Sequence, residues 1–285
     1  MYAYFPLYED NSYTVVDKAN RLDATVFNYL ESQPVIAGLM DVPSFRDIFY
    51  HRMIDKNYVI DDILEQLMYS YHDLVGMPAV SCKGLLVKET SIEIYASHLF
   101  SWFPNAKFIH LIRDPRDNYG ALKEGVSTYY SNFDDDNNTV LHSLIERSKL
   151  GMSLAGINQA RFGADRYHIV RFEDILNNPK HTLSIVCEFL DIEFNQTLLL
   201  PTLLGARTRG NNFQGQDFSS LSTTNLGRWI ERITPQEAKI IEFHFRDLMH
   251  RYGYETKFSL SEQADAAMDF YKWSNYKYHY FDRFC

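Results

Sequence analysis

The chain reads as an α/β protein, a parallel sheet flanked by helices, and three observations predict this. Phe108–Ile112 is a short apolar run broken only by His110, the length and composition of a strand buried on both faces of a parallel sheet. Arg166–Phe172 repeats that pattern. Between them, Thr139–Phe162 carries Leu141, Leu144, Ile145, Ser148, Met152, Ala155 and Gln159 on one stripe, the spacing of a long helix.

The first 78 residues are mainly helical by spacing. Ser12–Leu30 places Val15, Ala19, Leu22, Val26 and Leu30 on one face, and Ser32-Gln33-Pro34 stops it. Val59–Val75 repeats the device with Ile60, Ile63, Leu64, Leu67, Met68 and Tyr71, ending at Gly76-Met77-Pro78. Between them Met40–Tyr50 reads as a loop and short helix, whose Pro43, Phe45, Phe49 and Tyr50 either help form an acceptor pocket or pack against the sheet. Ala79–Val87 is the next expected strand, followed by Lys88-Glu89-Thr90 and a helix over Ser91–Trp102. A polar triplet at a strand end lies on the edge where open α/β sheets bind ligands. A bare Lys–Glu pair would otherwise be a surface ion pair of little worth.

The segment after Phe108–Ile112 changes character abruptly. Asp114 can cap a helix, Pro115 suits its first position, and Asp117 lies where negative charge favours the helix dipole. Arg113 therefore stands at the carboxyl end of a strand beside a helix N-terminus, a place and residue type suited to bidentate phosphate contact. The plainer alternative is an exposed arginine pairing Asp117 or Glu173. Further on, Asn178-Pro179 repeats the cap-plus-proline start, with Leu183, Val186, Cys187 and Leu190 facing inward. Pro201–Leu226 is a long Gly/Asn/Ser/Thr-rich loop, and loops of that length are usually functional or disordered. Thr234-Pro235-Gln236-Glu237 is a capping box opening a helix that Gly253 stops. For the last 27 residues a short aromatic helix packing on the domain is the expectation.

Composition excludes several classes. A net charge of -9 disfavours nucleic acid as the main ligand, because phosphate-backbone binding needs a basic face. Cys82, Cys187 and Cys285 form neither a disulfide framework nor a zinc spacing, and the histidines form no metal motif. Asp134–Asp136 lack the alternation of a calcium loop and read as a solvated turn. No apolar run is long enough to span a membrane and the N-terminus has no signal-peptide pattern, so the expectation is a soluble chain, cytoplasmic by default.

Strand-R-D-P-R-D-helix, preceded by F-P-N-A-K at Phe103–Lys107, resembles the 3′-phosphate-binding segment of sulfotransferases that use 3′-phosphoadenosine 5′-phosphosulfate (PAPS). Val170-Arg171-Phe172-Glu173-Asp174 with Asn178-Pro179 and Cys187–Leu190 is similar to that family's V-R-Y-E-D-L…P…C-x-F-L run. Gly227-Arg228-Trp229 before Thr234–Tyr254 is similar to its C-terminal segment, so the likeness covers roughly residues 79 to 255. It implies a P-loop NTPase-like sulfotransferase fold. It also implies one domain over 1–285: a helical part to 78, an α/β core over 79–258 and an aromatic tail over 259–285.

The same resemblance implies site residues. Arg113 would hold the 3′-phosphate, Lys88 would face the leaving oxygen and Glu89 would be the base candidate. Arg209, Gly210 and Asn211 would lie over the nucleotide, and Glu173-Asp174 would hold the strand end. PAPS would be co-substrate without a metal; the acceptor would be a glycan, a protein tyrosine or a small alcohol. Two departures stand out. Ala121 occupies the place of a serine that donates to the 3′-phosphate, unless Asn118, Lys123 or a backbone amide substitutes. No 5′-phosphosulfate loop precedes Lys88, so the expected domain starts after its first βα unit, and a missing upstream anchor would allow a Golgi-type lumen. A non-catalytic nucleotide- or carbohydrate-binding relative is the alternative. A P-loop kinase is less favoured, since no Walker lysine or magnesium-binding aspartate motif is present.

Overall fold

A computed structural model describes residues 14–56, 58–76, 84, 86–88, 90–129, 137–204, 206–207 and 220–281. The chain divides into two compact units. One comprises Met1–Ala106 with Thr202–Ala206, the other Lys107–Pro201 with Arg207–Cys285.

The first unit is helical. Helix α1 (Val15–Leu22) starts from a capping box in which Thr14 and Asp17 satisfy each other's amides. It passes through a π-helical stretch, Asp23–Phe27, into α2 (Asn28–Ser32), and the expected stop at Ser32 holds. Pro34 then opens a four-residue helix, α3 (Pro34–Ala37). Helix α4 (Val42–Met53) corrects the expectation for Met40–Tyr50: it is a full helix, capped by Asp41 on the Ser44 amide. Phe45 and Phe49 are buried with Val42 and Met53 against Leu22, Phe27, Ile63 and Leu64. They are therefore core residues, not walls of an acceptor pocket. Helix α5 (Ile60–Leu74) follows the expected bounds, and the Ser91–Trp102 helix is a 3₁₀ turn, Ile92–Tyr95, followed by α6 (Ala96–Trp102). The expected strand Ala79–Val87 lies largely outside the described residues; Gly84, Leu86 and Val87 within it carry no strand pairing.

The second unit holds the sheet. Strand β1 (Phe108–Ile112) pairs in parallel with β2 (Tyr167–Arg171), Phe108 opposite Tyr167 and Ile112 opposite Arg171. Between them run α7 (Pro115–Tyr129) and α8 (Asn137–Phe162), then α9 (Phe172–Asn177) and α10 (Pro179–Leu190). Helices α11 (Trp229–Arg232), α12 (Pro235–Arg251) and α13 (Leu260–Phe281) complete the unit. Its core joins Ile112 and Tyr119 to Leu141, Leu144 and Met152 of α8 and to Ile241, Phe245 and Met249 of α12. Helix α13 packs through Ala266 and Phe270 and is far longer than the short tail expected. Strand β1 is not buried on both faces: Leu111 is 52% exposed, because the parallel sheet has two strands among the described residues. No helix among those residues is long and apolar enough to cross a membrane.

His110, the polar interruption in β1, is buried with its Nδ1 2.6 Å from the Tyr167 hydroxyl, which also accepts from Asn158. Desolvation pushes its pKa down to about 4, so the ring is neutral at pH 7. A histidine whose pKa falls on folding stabilises fully above its unfolded value near 6.5 and loses that contribution as pH drops toward 4. Between pH 7 and 5 the cost is about 2 kcal/mol for this one group. Urea unfolding of wild type and His110→Gln at the two pH values should show a loss larger by about that amount in the wild type, the pH dependence of other groups such as His244 being common to both. Equal pH dependence in both would remove His110 as the cause.

Candidate functional site

The site is built on the carboxyl ends of β1 and β2, where the first turns of α7 and α9 leave the sheet. Asp114 does what its position predicts: its Oδ1 accepts from the Arg116 amide at 2.8 Å and so caps α7. The same carboxylate receives the Arg116 guanidinium at 2.7 and 3.0 Å. Arg116 also donates to the fully buried Glu242 at 2.7 Å and lies 4.3 Å over the Trp229 ring. The second arginine of R-D-P-R-D is thus a buried structural cation, neutralised on both sides.

Asp117 does more than complement the helix dipole. Its two oxygens accept from the backbone amides of Gly227 at 2.7 Å and Trp229 at 2.9 Å, and Gly227 takes a positive φ of 68° that a side chain would disfavour. Burial pushes the Asp117 carboxyl up, opposed by those two amides and by the charge of Arg113. The R-D-P-R-D and G-R-W segments, far apart in the chain, are therefore one hydrogen-bonded unit.

Glu173 is equally committed. Its Oε1 accepts from the Asp114 amide at 2.9 Å and its Oε2 from the Tyr254 hydroxyl at 2.8 Å. One carboxylate ties the end of β1 to the start of α9 and to the segment after α12. Arg171, the last residue of β2, stacks on Tyr254 with its guanidinium 4.5 Å from the ring centroid. Lys107 of F-P-N-A-K holds the end of α10, donating to the Phe189 carbonyl at 2.6 Å and pairing with Asp191.

Arg113 is left over from all this pairing. Its guanidinium lies 4.9 Å above the Phe172 ring, the first residue of α9. Its Nε is buried and has no hydrogen-bond partner. Among the described residues it makes no ion pair, because the carboxylates expected to neutralise it, Asp117 and Glu173, are occupied by backbone amides and by Tyr254. A cation over an aromatic face, with a buried unsatisfied Nε and no direct ion pair among the described residues, is arranged to receive an anion.

Of the other expected site residues, Lys88 is exposed in the first unit. Glu89, Arg209, Gly210 and Asn211 lie outside the described residues. Both side chains that could replace the missing serine are engaged: Asn118 donates to the Ser148 hydroxyl at 3.1 Å, and Lys123 to both Glu237 oxygens at 2.8 and 3.0 Å. Phe172 as the platform under Arg113, and Tyr254 as the partner of Glu173, were not singled out from the sequence, although both fall in the segments that resemble the family's motifs.

Comparison with known proteins gives the family and the fold. A family model described as "Sulfotransferase family" matches residues 15–196, and the chain belongs to that family, whose reaction class is sulfonate transfer. The kinase alternative falls away with that membership. Among solved structures, the fold is similar to the "Sulfotransferase Domain from the Curacin Biosynthetic Pathway", at 16% identity and a TM-score of 0.55, over 81% of this chain and 78% of that one. It is also similar to the "Sulfotransferase Domain from the Synechococcus PCC 7002 Olefin Synthase", at 18% identity and a TM-score of 0.54, over 86% and 82% of the two chains. A search of curated protein sequences found no match.

Proposed function

We propose that the protein transfers the sulfonate of PAPS to a hydroxyl or amine acceptor, with Arg113 holding the 3′-phosphate of the nucleotide. The acceptor oxygen or nitrogen attacks sulfur in line, the sulfur–oxygen bond to the 5′-phosphate breaks, and adenosine 3′,5′-bisphosphate leaves. Catalysis of such a step rests on positioning and on neutralising the leaving oxygen. Lys88 is assigned the neutralising role and Glu89 the acceptance of the acceptor's proton. Arg209, Gly210 and Asn211 are assigned to the nucleotide. Glycans, protein tyrosine and small alcohols are the acceptors proposed.

The observation that carries this reading is the unpaired Arg113 at the carboxyl end of β1, stacked on Phe172 with a buried, unpartnered Nε. Since Asn118 and Lys123 are spent elsewhere, Arg113 is the side chain on which 3′-phosphate affinity depends most. Calorimetry with adenosine 3′,5′-bisphosphate and adenosine 5′-phosphate tests it. The bisphosphate should bind about tenfold or more tightly, the worth of one or two charge-assisted hydrogen bonds. Equal affinities would remove the 3′-phosphate from the site. Tight binding of the bisphosphate without transfer of labelled sulfonate to any acceptor would instead favour a non-catalytic nucleotide binder.

A further inference from the structure

The second unit contains a cleft that the sulfotransferase reading does not use. It has a volume of about 340 Å³, within the range of small-molecule sites, and lies between α8, α12 and α13. Helix α8 supplies His142, Glu146 and Lys149, α12 supplies His244, and α13 supplies Phe270 and Tyr271. The polar groups are graded by depth. His244 has a buried Nε2 with no hydrogen-bond partner, set among aromatic rings: Phe270 at 6.1 Å and Tyr271 at 5.6 Å between centroids. Glu146 and Lys149 are exposed, three residues apart on one helix face, and neither makes an ion pair among the described residues.

Buried polar atoms are nearly always satisfied, so the unpartnered Nε2 marks a place where a ligand atom or water is wanted. Burial, with the positive charges of Lys149 and His142 nearby, pushes the His244 pKa down to about 4, leaving a neutral imidazole. Either tautomer can then serve a hydroxyl, which both donates and accepts. Phe270 and Tyr271 offer ring surface beside it, where another ring would pack edge-to-face or offset. The two unpaired rim charges call for a ligand with a carboxylate for Lys149 and an ammonium for Glu146.

From this grading we infer that the α8–α12–α13 cleft binds a small zwitterion of the hydroxyphenyl amino-acid type. The hydroxyl reaches His244, the ring rests against Phe270 and Tyr271, and the amino and carboxylate groups meet Glu146 and Lys149. The site is separate from Arg113 in its residues and independent of the PAPS reading.

Ligand-observed NMR titration of the 285-residue chain with L-tyrosine, L-phenylalanine and tyramine tests it. Tyrosine should bind saturably, and removing either the hydroxyl or the carboxylate should weaken binding about fivefold or more. His244→Phe and Lys149→Met should each weaken tyrosine to a similar extent, while Arg113→Ala should leave it unchanged. Lys149 is exposed, so its variant keeps the test open if His244→Phe disturbs packing. Absence of saturable tyrosine binding, equal affinity for all three probes, insensitivity to both variants, or loss on Arg113→Ala would each overturn the assignment.

Discussion

Arg113→Ala is expected to weaken adenosine 3′,5′-bisphosphate about tenfold to a hundredfold and adenosine 5′-phosphate hardly at all, as losing one or two charge-assisted hydrogen bonds implies. The size follows from the surroundings. Asp114, Asp117 and Glu173 are within the same few turns, yet each is bound to something else, so Arg113 enters the complex without first breaking an ion pair. Truncation should cost little stability, since the side chain anchors no other described residue through a hydrogen bond. The expected signature is therefore a ligand-selective loss with an unchanged unfolding midpoint. An equal loss for both nucleotides would move Arg113 off the 3′-phosphate.

The second large effect concerns Lys88. If its ammonium neutralises the leaving oxygen mainly in the transition state, Lys88→Ala should lower turnover by about two orders of magnitude or more with little change in acceptor KM. Lys88 is exposed, so the substitution should not disturb folding. Turnover unchanged within about twofold would return Lys88 to the status of an ordinary surface lysine, whose removal is usually close to neutral.

Much of the fold was legible because it rests on local patterns. The apolar runs at Phe108–Ile112 and Tyr167–Arg171, the helix start at Pro179 and the Thr234–Glu237 capping box depend on neighbours a few residues away, and each formed where expected, although the Asn178 side chain makes no capping hydrogen bond. Met40–Tyr50 misled because Pro43 and three aromatics suggest a loop, whereas proline near a helix start is favourable and the aromatics fall on the buried face of α4. Leu111 could not be anticipated, since exposure of a strand depends on how many strands flank it.

The site was legible only in part, for the same reason. Arg113 was identifiable from a strand-to-helix transition within six residues. What makes it a candidate anion site is the diversion of its possible counter-ions, and that depends on Asp117 meeting Gly227 and Trp229, and on Glu173 meeting Tyr254. Those partners are separated by 81 to 112 positions, and no spacing rule connects them. Arg116 shows the converse. Its place in the motif is as prominent as that of Arg113, but its two carboxylate partners make it structural.

A crystal of the protein grown with adenosine 3′,5′-bisphosphate would show directly where the 3′-phosphate sits. The 3′-phosphate is expected at the carboxyl end of β1, with an oxygen accepting from the Arg113 guanidinium at about 2.8 Å and that group still over Phe172. A nucleotide bound with its 3′-phosphate away from Arg113, or an Arg113 that has turned to pair with Asp117 or Glu173, would contradict it.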